Sequence, residues 1–546
     1  MVVQRQLSSF VSMYLQDVTS RVVARSGRPE DRFHLGKIIL ETLRTAPDMD
    51  LQIDAATGES ESFQSVLSRS VRFARYLRAA SYAPGDVIAL MAPNHLDLTV
   101  AIYAAMFNGL TVAALENMSG VGELKNTFSA TEPKLVVCQH DKEKDVKEAL
   151  QKANVKANII TFGGGENNFI DLFQNVEANL DDFTVTDVDT AENICFLVPT
   201  SGTTGVPKSA AVSHKNTVIH LPLWLGMYDS FPSPTKMIFH LSPLQWVTGI
   251  MNYLLSAIFH VTRVQTSGPG TVEHYRSIIN KYKPSFMICS PTMMTSMVKH
   301  GGGDSCDFSC LEVIALGGSA VTKDIGQELK RHAPNAHLFP IYGLTEIGMA
   351  LCGVYDINKP VSFKDCGILK FRLVDPDTGK DVCEPFKKGE LWATGPSVFK
   401  GYYNRPDATK ETFSEDGWLK TGDIFHRDDD FNYFFLDRMK MLLKYRNYQI
   451  SPVEVEAVIR QHAGVSDAGV AGVPDSECGE LPVACVVRRP GASVTAQEIK
   501  DLVKSSLQDS KQLRGGVIFV ESLPMTASTK VNRKKLKEMV CTLPRE

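Results

Sequence analysis

Short apolar runs recur through the first four hundred residues, each separated from the next by a longer amphipathic stretch. They are DVIALMAP from Asp86, KLVVCQ from Lys134, NIITF from Asn158, NICFLVPT from Asn193, SFMICSP from Ser285 and LEVIALGGS from Leu311. A run that is apolar on both alternating faces has to be covered on both sides, and helices between successive strands provide that cover. The rhythm therefore predicts an α/β chain built from parallel sheets layered with helices. Around Lys359 to Gly401 it gives way to short strands and turns, among them VDPDTGK, which predicts a small β-rich unit. After FFLDRMKMLLKYRNYQISPVEVE the chain starts a second, compact βαβ-like series. This comprises VSDAGVAGVPD, LPVACVVRRP, a helix over Ala496 to Leu507, GVIFVESLP and a basic helix from Val531. The fold class expected is thus a large N-terminal domain of parallel-sheet α/β subdomains plus a small β-rich unit, followed by a small mobile α+β C-terminal domain.

Composition removes several function classes. The 546 residues are 43% hydrophobic and 22% charged, enough for real cores and too ordinary for disorder or a coiled coil. Fifty-eight basic against sixty-two acidic residues leave a net charge of −4, no field for holding nucleic acid. Eleven scattered cysteines lack the doubled spacing of a structural zinc site and read as reduced, mostly buried thiols of an intracellular protein. LTVAIYAAMFNGLTVAAL, Leu98 to Leu115, is uncharged, but its small residues and the Asn108-Gly109 break suit a buried helix turning into a strand, not a transmembrane segment. The N-terminal stretch has no secretory core; its arginines and serines, with no acid before Asp17, leave a mitochondrial location as the alternative to a cytoplasmic one. The terminal LPRE is not a peroxisomal address.

One loop carries more chemistry than the rest. LVPTSGTTGVPKSAAVSH, Leu197 to His214, runs from a strand into hydroxyls and glycines and then to one lysine. Glycines after a strand let successive backbone amides turn into one concavity, and such a concavity binds phosphate. Hydroxyls at Thr200, Ser201, Thr203 and Thr204 and amides at Gly202 and Gly205 add donors, and Lys208 adds a flexible charge suited to terminal phosphates. A Walker loop would need glycine directly before the lysine; here Pro207 stands there, so that template fails.

TSGTTGVPK resembles the phosphate-loop signature of the adenylate-forming superfamily: acyl-CoA synthetases, aryl-CoA ligases, beetle luciferases and peptide-synthetase adenylation domains. Further resemblances follow in the superfamily's order: ALGGSA from Ala315, YGLTEIG from Tyr342, GELWATGPSVFKGYYNRPDAT from Gly389, GWLKTGDIFHRDDDFNYFFLDRMK from Gly417 and PMTASTKVNRKKL from Pro524. The likeness covers almost the whole chain, and its flavour is that of insect luciferase-like and coumarate-CoA-ligase-like enzymes. It implies ATP, Mg²⁺ and CoA, and a small carboxylic acid as partner. The acid attacks the α-phosphate of ATP, and a thiol then displaces AMP.

The resemblance also assigns roles. Tyr342 corresponds to an adenine-stacking aromatic, with Gly343 beside it, Thr345 to an α-phosphate contact and Glu346 to the carboxylate near Mg²⁺, for which one carboxylate plus phosphate oxygens is sufficient. Gly317 and Gly318 would admit adenine and acyl group close to the backbone, and Gly318, Ser319 and Trp246 would border the acyl pocket. Asp423 matches a ribose-binding acid, Arg438 a second nucleotide contact, and Lys530 the lysine bridging substrate carboxylate and α-phosphate. Residues 437–440 match a hinge between domains at 1–436 and 441–546, with Lys440, Lys444 and Asn447 on the CoA side.

Three positions depart from the pattern. Thr529 stands where the family has glycine before its catalytic lysine, and threonine resists the positive φ that glycine accepts. Asn447 replaces a glycine bordering the pantetheine tunnel; asparagine tolerates the left-handed region but its side chain narrows the tunnel. Trp246 stands where luciferases commonly carry histidine. The resulting expectation is an acid:CoA ligase acting on an apolar acid, fatty or aromatic. The alternatives are a luciferase-like monooxygenase and an impaired paralogue that binds nucleotide or lipid. Chain length of the acid and oligomeric state are not legible.

Overall fold

The computed structural model describes residues 9–200, 208–225, 237–299, 305–319, 321, 323–445, 448–475, 478–507, 509–526 and 531–546. All six quoted apolar runs are strands, and they divide between two sheets. One is six-stranded, in the order 158–162, 135–139, 87–91, 111–114, 194–200 and 208–213. Its pairs are parallel except the last, where Ile194–Thr200 turns back against Lys208–Ser213. The other is nine-stranded, with a parallel middle formed by 50–54, 262–265, 237–239, 286–289, 313–317 and 337–344 and antiparallel strands at both edges.

The uncharged stretch from Leu98 to Leu115 is buried throughout, as the helix Leu96–Phe107 followed by the strand Thr111–Ala114. Among the described residues no helix is long and apolar enough to cross a membrane. The stretch from Ser9 forms the helix Ser9–Ser26, docked on the same domain. Val11, Leu15, Val18 and Val22 recur at helical spacing and are buried, each contributing about 1.5–3 kcal/mol of apolar transfer. Arg21 and Arg25 both reach the buried carboxylate of Glu41, and the Tyr14 hydroxyl donates to the Ile258 carbonyl at 2.9 Å.

A fully buried guanidinium fixes the helix Val247–Ile258, at whose N-terminus Trp246 sits. Arg263 donates to Gln52, Thr99, Ser256 and Gln265 and lies 4.3 Å from the Tyr253 ring centre, so strands 50–54 and 262–265 and two helices share one charge. The β-rich unit extends further than the sequence implied: it is a four-stranded antiparallel sheet of 370–374, 389–394, 419–427 and 433–438. The five-stranded C-terminal sheet begins with the short strands 443–445 and 448–450 and continues with the long hairpin Val465–Asp475 and Gly479–Arg488, after which the helix Ala496–Ser506 crosses over to a parallel strand, Gly516–Val520. Between these two sheets lies a single turn of 3₁₀ helix, Met439–Met441, flanked by buried Asp437, whose carboxylate accepts the Ser451 hydroxyl at 2.7 Å.

The cysteines depart from expectation in part. All eleven are unpaired, but only five are buried, while Cys383 and Cys541 are exposed. Cys383 lies in a loop, and Cys541 near the end of the helix Arg533–Thr542.

Candidate active site

Two motifs far apart in sequence are sewn together by main-chain hydrogen bonds. The strand Lys208–Ser213 exchanges bonds with the segment between the second and third strands of the β-rich unit: Ala211 N–H donates to Gly401 O, Lys400 N–H to Ala211 O and Tyr403 N–H to Ser209 O, all at 2.9 Å. Phe399 N–H donates to the carbonyl of Glu346 at 2.8 Å. The loop lysine, Tyr402 and Glu346 are thereby brought to one place. The Tyr402 hydroxyl donates to Glu346 Oε1 at 2.6 Å, and Lys208 Nζ lies 5.0 Å from the Tyr402 ring centre. Burial, with the Glu346 carboxylate adding to it, raises the Tyr402 phenol well above its ordinary value, so it stays a donor.

The glycine-rich loop is held at its two ends. Thr200 and Lys208 are register partners across the hairpin, and Thr200 Oγ1 donates to the Lys208 carbonyl at 3.2 Å. Ser201, Gly202, Thr203, Thr204 and Gly205 lie outside the described residues, as do Asn447, Thr529 and Lys530.

These groups open onto a cavity of about 1060 Å³. Thr200, Lys208, Gly343, Thr345, Glu346 and Arg438 line its polar part. Gly317, Gly318, Trp246, Ile288, Ile341 and Met349 line another part, largely apolar. Ser319 is exposed and lies outside the lining. Glycine is required at two of these positions. A Cβ on Gly343 would stand 2.2 Å from the Gly348 carbonyl oxygen, and Gly318 has φ +88°.

Tyr342 and Asp423 also lie outside the lining, next in sequence to Gly343 and Gly422, which belong to it. Tyr342 is nine-tenths buried, edge-on to Phe425 with centroids 4.8 Å apart, and its hydroxyl donates to Asp423 Oδ2 at 2.8 Å. Asp423 and Arg438 are direct cross-strand partners, and Arg438 Nε lies 3.3 Å from Asp423 Oδ1. That pair is misaligned for a hydrogen bond, so Oδ1 is left without one among the described residues. Burial raises the Asp423 carboxyl to about 6, against the opposing pull of Arg438 and of the Tyr342 hydrogen bond. The backbone of Lys440 lies in the 3₁₀ turn, and that of Lys444 pairs with Gln449.

The sequence resemblance assigned no role to Tyr402. Its signal lay in FKGYYNRP, where a tyrosine follows glycine inside a quoted motif, but nothing in that string reveals a partner 56 residues away.

A model of AMP-binding enzymes matches residues 41–403, and a model of the AMP-binding enzyme C-terminal domain matches 454–530. The chain belongs to the AMP-binding enzyme family. It is an adenylate-forming superfamily member, and its relatives include both luciferases and CoA ligases. It is 31% identical over 502 residues to luciferin 4-monooxygenase of Nipponoluciola cruciata, covering 89% of this chain and 90% of that one. It is 29% identical over 528 residues to 4-coumarate–CoA ligase 5 of Oryza sativa subsp. japonica, covering 94% and 97%. Among solved structures, ATP-bound MatB from Rhodopseudomonas palustris superposes with a TM-score of 0.82 at 24% identity, covering 92% of this chain and 98% of that one.

Proposed function

We propose that this AMP-binding enzyme is an ATP-dependent acid:CoA ligase acting on an apolar carboxylic acid, fatty or aromatic. The observation that supports this reading is a large cavity lined by a glycine-loop lysine, a Thr-Glu pair and an arginine together with many apolar residues. Joining a carboxylate to a phosphate brings two anions together, and the catalytic task is to neutralise charge at phosphorus. Lys208 and the loop amides take the β- and γ-phosphates, Thr345 donates to the α-phosphate, and Lys530 bridges the α-phosphate and the attacking carboxylate. Asp423 accepts the ribose hydroxyls, with Arg438 alongside, and Tyr342 packs against adenine.

No group of three or more metal-ligating side chains exists among the described residues. Glu346 in the cavity lining fits Mg²⁺, which favours one or two carboxylates with phosphate oxygens making up the rest, and would hold it. When bound, the ion supplies charge neutralisation to the phosphates. Tyr402 fixes the orientation of the Glu346 carboxylate before nucleotide arrives.

The second half-reaction is assigned to a rotated arrangement of residues 441–546 about 437–440, presenting Lys440, Lys444 and Asn447 to the thiol of CoA. The similarity to luciferin 4-monooxygenases supports a second reading, in which the adenylate is oxidised by oxygen instead. AMP release across short, medium, long and aromatic acids, with and without CoA, tests the first reading. Thioester with AMP is expected from at least one acid. Light from luciferin without any CoA-dependent thioester would favour the second.

A further inference from the structure

A small recess opens beside the large cavity, sharing Trp224, Val247, Thr345 and Gly348 with its wall. Its interior is unusual for an acid-binding cavity that is otherwise largely apolar. His220, Trp224 and Ser397 all line it, and each is at least 96% buried. Neither ring nitrogen of His220, nor Trp224 Nε1, nor Ser397 Oγ has a hydrogen-bond partner among the described residues. The Ile347 carbonyl lies near enough to favour protonation of His220 slightly, but makes no hydrogen bond of acceptable geometry. Three buried polar side chains left unpaired in one place is costly, because each has lost its water and gained nothing.

The arrangement is built. Asn216, His220 and Trp224 stand four residues apart along the helix His214–Leu225, so they share a face. Asn216 Nδ2 donates to the carbonyls of Pro396 and Val398, at 3.0 and 3.1 Å, and this clamps the backbone on both sides of Ser397 and holds it across from the helix. Gly348 leaves room for the imidazole: a Cβ there would lie 2.4 Å from His220 Nε2.

The recess holds about 30 Å³, against a minimum of roughly 10–15 Å³ for one water, so it has room for a single polar group and not for a chain. No lysine or arginine lines it, and burial lowers the His220 pKa to about 4, which leaves the imidazole neutral. A carboxylate would therefore be unpaired there. An uncharged oxygen would satisfy the donors: indole N–H is donor only, and neutral imidazole and hydroxyl each offer one donor and an acceptor.

We propose that this recess is the specificity subsite for the acid, receiving a hydroxyl or carbonyl oxygen carried on the acyl group, with Trp224 Nε1–H and the His220 imidazole donating to it and Ser397 Oγ completing the set. The assignment rests on reading the large cavity as the place where the acid is adenylated. The favoured substrate class is then hydroxy- or oxo-substituted carboxylic acids, not plain alkanoic or aryl acids.

The test pairs each parent acid, octanoic and 3-phenylpropanoic, with its hydroxy and oxo derivatives at successive positions. Binding is measured by calorimetry in the presence of AMP, and turnover separately by AMP release. One oxygenated acid should bind at least about 10²-fold more tightly than its parent, since a site built to hydrogen-bond a group rejects the analogue lacking it by up to roughly 10⁴–10⁵-fold. In His220→Leu that ratio should collapse to within about threefold; Trp224→Phe, which keeps ring volume and loses one donor, should reduce it less. Parent and oxygenated acids bound alike, or a preference that survives His220→Leu, would overturn the proposal and leave the recess as a water site. Preferential binding without any AMP release would uphold the subsite and defeat the ligase reading. AMP release with no preference in binding would do the reverse.

Discussion

The Tyr402 hydroxyl donates to Glu346 Oε1 at 2.6 Å while the Lys208 ammonium sits 5.0 Å from the centre of the same ring. One side chain thus positions the carboxylate assigned to the metal and lies against the lysine assigned to the terminal phosphates. A hydrogen bond to a charged partner contributes about 1.5–3 kcal/mol. Tyr402→Phe should therefore slow adenylation by roughly 10-fold and move the Mg²⁺ titration to higher concentration, with little change in Tm, because the ring and its packing remain. A Mg²⁺ titration that overlays the parent's would remove Tyr402 from this role.

Asp423 carries a pH dependence. Burial holds its carboxyl near 6, above the ordinary aspartate value, so it loses its charge as pH falls through that range. If the ionised form accepts the ribose hydroxyls, AMP affinity should be constant above about pH 7 and drop roughly tenfold by pH 5. Asp423→Asn should bind more weakly and show no such drop. Equal pH profiles for the two proteins would contradict the ribose assignment.

The strands were legible because their signal is local: ICFLV in the first string and VIAL in the second, of NICFLVPT and LEVIALGGS, are apolar at every position whatever they pair with. Which sheet each one joins was not. Asp50–Asp54 enters the nine-stranded sheet beside Thr262–Gln265, two hundred residues on, and nothing in either string encodes that choice. The glycine-rich string, the Thr-Glu pair and Asp423 drew notice as motifs, since each signature sits in consecutive residues. Tyr402 on Glu346, and Asn216 clamping the backbone around Ser397, were not, because each joins separate segments through a single side chain.

Two buried histidines make the fold acid-labile. His34 Nδ1 accepts from Lys37 N–H at the start of the helix Leu35–Arg44, and His214 Nδ1 accepts from Leu35 N–H at 3.1 Å. Burial lowers their pKa values to about 4 and about 3. The unfolded chain binds these protons first, so the stability they contribute is complete above about pH 6.5 and is lost as pH falls from there toward the folded values. Unfolding free energy should fall by about 2 kcal/mol per histidine between pH 7 and pH 5. Urea midpoints that stay level across that interval would contradict the neutral, accepting state of both rings.

Separation of the two half-reactions follows from the proposed hinge. Lys530→Ala should lose adenylation by roughly 10²–10³-fold and yet pass a supplied acyl-adenylate to CoA at the parent's rate. Equal losses in both halves, measured by single-turnover kinetics, would favour one fixed arrangement of residues 441–546.

The most direct measurement of the central claim is ATP–pyrophosphate exchange, which reads adenylate formation without any thiol. Exchange should require an added carboxylic acid and Mg²⁺, and Lys208→Ala should slow it by about 10²-fold, the effect of losing one charge contact to the phosphates. A folded protein that binds ATP but exchanges no pyrophosphate with any acid, plain or oxygenated, would contradict it.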